Sequence, residues 1–142
     1  MPLYLLDTDH MSLLQRGGTA GTTLRRRLKA VGDDDYGTAI ITFEEQMRGW
    51  LDLISRAKTR KAGLDAYYLF GQTIADYTRV AVWQYDNSSA ETFESLQKMR
   101  TGVGTKDLKI SAIALTYNAT VLTCNHKHFS KVPELRIADW TV

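Results

Sequence analysis

Cysteine, proline and net charge are all scarce in this sequence, and each scarcity excludes a class of protein. A single cysteine, Cys124, among 142 residues permits neither an internal disulfide nor a thiolate cage around a metal. A reducing compartment suits such a chain, and the cytoplasm is the expected location. The two prolines, Pro2 and Pro133, stand near the ends, so nothing between them interrupts a helix. No stretch approaches the roughly 20 apolar residues of a membrane span. The opening MPLYLLDTDH has no basic segment and meets Asp7 after a few apolar residues, so it does not read as a signal peptide. Repeats, low-complexity tracts and linkers are missing too, and residues 1–142 are expected to form one domain.

The net charge of +2 is far from the strongly basic footprint of a dedicated nucleic-acid binder. Its distribution is uneven. Arg25, Arg26, Arg27 and Lys29 form one basic run, and Arg56, Lys58, Arg60 and Lys61 another. These read first as solvated helix faces, and second as groups able to touch a phosphate backbone without reading bases.

What remains is ordinary globular composition, 44% hydrophobic and 24% charged, arranged in an alternating pattern. Short apolar runs at 3–6, 36–41, 80–83 and 120–123 read as buried strands, with 136–138 as a fifth. Between them, apolar residues at helical spacing mark helices from about residue 8 or 9 to 14, then 22–31, 42–58, 62–76, 90–99 and 105–117. The helix from Thr105 is apolar on most sides (Leu108, Ile110, Ala112, Ile113, Ala114, Leu115), as a buried helix must be. Strands alternating with helices predict an α/β fold, a three-layer α/β/α sandwich around a mostly parallel sheet of four or five strands.

In such sheets functional groups collect beyond the carboxyl ends of the strands. Asp7 follows the first strand, Glu44 and Glu45 the second, Asn125 the fourth, and Asp107 opens the helix feeding the fourth. Three carboxylates and an amide are oxygen donors, which suit Mg²⁺ or Mn²⁺. Without a cation the acids would repel, by ~4 kcal/mol for a pair ~4 Å apart at an effective dielectric of 20. A bound cation would activate water and stabilise charge on a phosphodiester.

At these residues the sequence resembles a known family. MPLYLLDTDHMSLL is similar to the opening of PIN domains, in particular VapC-type toxins of bacterial toxin–antitoxin pairs, where an apolar strand ends in LDT-N/D and the first Asp, here Asp7, binds metal. TAIITFEEQMRGW resembles the second family segment and selects Glu45, with Gly49 four residues on. GTKDLKISAIAL resembles the third and selects Asp107; VLTCNHKHFSKVPELRIADW resembles the closing segment. The resemblance runs from Leu3 to Trp140 in the family's order. It implies a PIN-like fold and an endoribonuclease in which Asp7, Glu45 and Asp107 hold one or two Mg²⁺ or Mn²⁺ ions while Asn125 assists. It further implies an RNA substrate (transfer or ribosomal RNA), a small cognate antitoxin, and a homodimer or a heteromeric complex with that antitoxin.

The sequence departs from the family twice: Asp9 stands where Asn is usual after LDT, and His128 replaces the usual acid before Phe129. Each candidate also has a structural role open to it. Asp7 can cap the following helix. Thr42-x-x-Glu45 is a capping-box pattern that would occupy Glu45. Asp107 suits a helix dipole, and Asn125 suits a turn. Two other functions fit parts of the pattern. LYLLDTD matches the nucleophile motif of haloacid dehalogenase-like phosphatases, though the late acidic pair that chemistry needs is missing. The change to His128 also fits a PIN-like module that binds RNA or a partner without cutting.

Overall fold

The computed structural model describes residues 2–142. Its centre is a three-residue strand, β1 (Tyr4–Leu6). Helices α1 (Thr8–Arg16) and α2 (Gly18–Val31) follow, then a 3-10 turn over Asp33–Asp35 leads into β2 (Tyr36–Ala39). The long helices α3 (Ile40–Arg56) and α4 (Arg60–Asp76) form a hairpin. After them come β3 (Val82–Trp83), α5 (Asn87–Lys98), α6 (Thr105–Thr116), β4 (Thr120–Leu122), a single-turn α7 (His126–Phe129) and β5 (Arg136–Ala138). The sheet order is β3-β2-β1-β4-β5, and every pairing is parallel. This is the expected α/β/α sandwich, with the fifth strand present.

Successive strand residues point to opposite faces, and the core divides accordingly. On one face Leu5, Ala39 and Val121 pack with Ile110, Ile113 and Ala114 of α6 and with Phe129. On the other Leu6 and Leu122 pack with Leu24 and Leu28 of α2 and with Trp140. Helix α6 is buried along most of its length, as its all-apolar pattern predicts. Trp140 anchors the chain end, lying against Tyr4 with ring centroids 4.3 Å apart and beneath the Arg27 guanidinium.

Four boundaries differ from the sequence reading, each for a local reason. Helix α1 runs two residues past the expected end at 14, to Arg16, with Asp7 in the capping role open to it. Gly104, not Thr105, is the cap of α6. Helix α2 begins at Gly18, four residues early, because a positive φ at Gly17 and Gly18 turns the chain directly out of α1. Helix α3 begins at Ile40 with Ala39 as its cap, so Thr42 lies inside the first turn and the capping box with Glu45 does not form. The apolar residues whose spacing marks these two helices are only partly inward: Leu51 of α3 is exposed, as are Leu64, Tyr67, Tyr68 and Ile74 of α4.

Candidate metal centre

Asp7 occupies the junction that the whole edge is built around. Its backbone N–H donates to the Leu122 carbonyl at 3.1 Å, prolonging the β1–β4 ladder by one residue. Its side chain turns back to accept from the His10 N–H at 2.8 Å, closing the cap of α1. The residue is thus 3% exposed, and its position is fixed by strand and helix together. Burial pushes its carboxyl up to about 7, with the charges of Asp9 and Asp107 adding to the rise; the Thr123 hydroxyl and the His10 N–H oppose it.

Asp107 comes from the first turn of α6. Burial raises its carboxyl above the ordinary range, and Asp9 reinforces the rise. The opposing influence is His128, whose Nε2 stands 3.1 Å from Asp107 Oδ2. Glu45 projects from α3 toward α1 and accepts a hydrogen bond from Thr8 Oγ1 at 2.7 Å; Thr8 Oγ1 also lies 3.2 Å from Thr42 Oγ1. Glu45 is therefore released from capping and tied to the residue that follows Asp7.

Glu44 is spent elsewhere. It accepts from Lys106 Nζ at 2.5 Å and from Arg48 Nε and Nη2 at 3.1 and 2.9 Å. Those two cations hold its carboxyl below the usual range. A carboxylate already matched by two cations makes a poor ligand, so the neighbouring acids separate by partner: Glu44 joins α3 to α6 through Lys106, and Glu45 bonds Thr8. Glu45→Gln is expected to lower metal-dependent turnover by more than about a hundredfold, while Glu44→Gln stays within a few-fold of wild type; even outer-shell partners of a metal are worth 10–100-fold. Single-turnover rates at saturating Mn²⁺ compare the two.

Asn125 lies one turn away. Its carbonyl accepts from the His128 and Phe129 N–H groups and its own N–H donates to Thr123 Oγ1 at 2.8 Å, which is turn work. Its side chain is exposed and makes no hydrogen bond among the described residues. His128, not Asn125, is what the chain sets against Asp107.

Sequence reasoning overlooked a second polar group beneath Asp7. His10 is fully buried, with Nδ1 3.8 Å from Asp7 Oδ1 and 3.8 Å from Cys124 Sγ. Its Nε2 accepts from the Trp140 N–H at 3.2 Å, and burial lowers its pKa, keeping it neutral. Asp139 completes the cluster. Burial pushes its carboxyl up, but hydrogen bonds from the Thr141 hydroxyl and N–H outweigh that and hold it low. His10, Cys124 and Asp139 have ligand atoms within 4.8 Å of one another, the only such trio among the described residues. Because Trp140 occupies Nε2, the trio serves as a polar seam joining α1 to the chain end. Spacing alone offered one signal for it: His10 is one helical turn from Asp7.

The oxygen donors Asp7, Glu45 and Asp107 fit a hard divalent cation. Their ligand atoms do not all lie within 4.8 Å of one another. Asp7 has no Lys or Arg within ion-pair distance among the described residues, and its one ion-pair neighbour, His10, is neutral. A buried carboxylate without a cation is costly.

No family model matches the chain. Over 48 residues it is 44% identical to a protein named Ribonuclease VapC from Rickettsia bellii, a match that covers 34% of this chain and 36% of that relative. The fold is shared much more widely. A chain of the DNA-bound VapBC complex of Salmonella typhimurium superposes with a TM-score of 0.76 at 23% identity, covering 99% of each chain. A chain of the VapBC2 complex of Rickettsia felis, bound to a promoter DNA fragment, gives 0.71 at 20% identity, covering 97% of this chain and 98% of that one. At such identities it is the architecture that is held in common, and it is the PIN-like sandwich expected from the sequence.

Proposed function

We propose that this protein is a divalent-metal-dependent endoribonuclease, the toxin of a toxin–antitoxin pair. One arrangement carries the reading: Asp7 ends β1 buried, with no Lys or Arg at ion-pair distance among the described residues, Asp107 is near enough for its charge to raise the Asp7 carboxyl, and Glu45 is hydrogen-bonded to Thr8 next to it. The local identity to a ribonuclease VapC and the fold shared with VapBC chains support it. Asp7, Asp107 and Glu45 would hold Mg²⁺ or Mn²⁺. When bound, such an ion supplies positive charge to a phosphodiester and lowers the pKa of water.

The chain's own groups do the rest. Asp7 is immobilised by the β1–β4 ladder and by the cap of α1, so its carboxylate meets the ion with little loss of freedom. Thr8 orients Glu45. The Lys106–Glu44 ion pair ties α6 to α3, one residue from Asp107 and one from Glu45, while Arg48 holds Glu44 within α3. Arg25, Arg26 and Lys29, exposed on α2, are placed to meet RNA phosphates without reading bases.

The antitoxin is assigned to the groove of about 540 Å³ lined by Arg16, Trp50, Leu53, Arg56, Leu69 and Asp76, between α3 and α4 with α1 beside them. The exposed apolar side chains of α4 continue from it and offer a surface for a homodimer. The test is incubation of the purified protein with a total transfer RNA pool and with ribosomal RNA, with and without Mn²⁺ or Mg²⁺, beside Asp107→Asn. Cleavage that requires the cation and falls more than about a hundredfold in the variant is expected. Tight RNA binding with no cleavage at any metal concentration favours the non-cutting module. A phosphoenzyme trapped at Asp7 favours the phosphatase.

A further inference from the structure

We propose that His128 is itself a ligand of the bound ion, which makes this centre a mixed nitrogen–oxygen site selective for Mn²⁺ or a later transition metal over Mg²⁺. The inference rests on the metal-binding reading above and deepens it. His128 Nε2 lies 3.1 Å from Asp107 Oδ2. Neighbouring ligands of an octahedral ion with bonds of ~2.1 Å stand ~3.0 Å apart, so the pair already spans one edge of a coordination sphere. The ring is positioned for this by its surroundings. Helix α7 places it one residue before Phe129, which is buried in the core beneath the sheet edge, and the two rings meet edge to face at 5.9 Å.

The proton on Nε2 has somewhere to go. Among the described residues no group bonds to His128 Nδ1, and the side chain is a quarter exposed, so the proton can sit on Nδ1 in water while Nε2 takes the metal. His10 contrasts with it: its Nε2 is already occupied by the Trp140 N–H. Imidazole favours Mn²⁺, Co²⁺ and Zn²⁺ over Mg²⁺, which prefers oxygen throughout.

Electron spin-echo measurements on the full chain loaded with Mn²⁺ test this, together with Mn²⁺ and Mg²⁺ titration calorimetry of wild type, His128→Gln and His128→Asp. Wild type is expected to show nitrogen-14 modulation from a bound imidazole, and His128→Gln to bind Mn²⁺ without it. His128→Asp is expected to narrow the preference for Mn²⁺ over Mg²⁺ by about tenfold or more. Mn²⁺ bound to wild type without nitrogen modulation overturns the proposal, and so does modulation that survives in His128→Gln or a preference unchanged in His128→Asp. A wild-type protein that takes up no divalent cation at all removes the metal reading itself, a separate result.

Discussion

Asp7→Asn is expected to leave no measurable metal-dependent RNA cleavage and to melt several degrees higher than wild type at pH 8 without metal. Both effects come from one carboxyl group. Asn is as good a helix cap as Asp, so α1 keeps its start and the fold is not at risk. The charge is what disappears. The Asp7 carboxyl is raised from an ordinary 3.8 to about 7 in the folded chain, so between those values the folded state holds a proton that the unfolded state has released. Stability therefore falls as pH rises from about 4 to about 7, and remains low above that. The gap is worth about 4 kcal/mol at its limit. The variant escapes this loss, so its advantage is largest at pH 8 and vanishes below pH 4. Thermal melts of both proteins across that range check the sign. Mn²⁺ should raise the melting temperature of wild type and leave the variant nearly unmoved, because only a folded site with its charge intact binds the ion. A variant that melts lower than wild type at pH 8 would falsify the account of Asp7 as an uncompensated buried charge.

Leu69→Asp is the counterpart on the partner surface. It is expected to weaken antitoxin binding by more than about a hundredfold, roughly 2.7 kcal/mol, while the free protein cuts RNA at the wild-type rate. Leu69 is 41% exposed in the isolated chain and lines the α3–α4 groove beside Leu53 and Trp50, so the fold tolerates a charge there. Once a partner covers the groove, the same charge is desolvated without an opposite one beside it. Calorimetric titration of the co-encoded antitoxin into wild type and variant measures the loss, and unchanged affinity would move the partner to another surface. Leu64, Tyr67 and Tyr68 are each more than 60% exposed, and an apolar face of this kind commonly marks an interaction surface.

The sheet and the order of helices were legible in the sequence because both depend on periodicity. The buried α6 announced itself through its unbroken apolar run, and β1 through the four apolar residues before Asp7. The site was legible in part. Asp7 ends a strand and Asp107 opens a helix, where a parallel sheet gathers its chemistry, and Glu45 lies in the second turn of the helix that follows β2. The resemblance selected Glu45 over Glu44, but the engagement of Glu44 elsewhere was not legible, because it turns on Lys106, 62 residues from Glu44. The capping box failed for a related reason: β2 passes into α3 without a loop, and Thr42 falls one turn too late to cap. His10 and Asp139 escaped notice because their meeting spans almost the whole chain, and no local pattern carries that distance. His128 could be flagged as a departure, but its place against Asp107 depends on the α7 turn, and a single turn leaves little periodic trace.

The central strand has a temporal consequence. β1 precedes every other described element along the chain, yet one of its two neighbours, β4, begins at Thr120, and the backbone group that pins His10 belongs to Trp140. Contacts so distant along the chain form late. A nascent chain therefore carries Asp7 before the contacts that bury it can form. On the function proposed above, cutting awaits synthesis through β4 and Trp140.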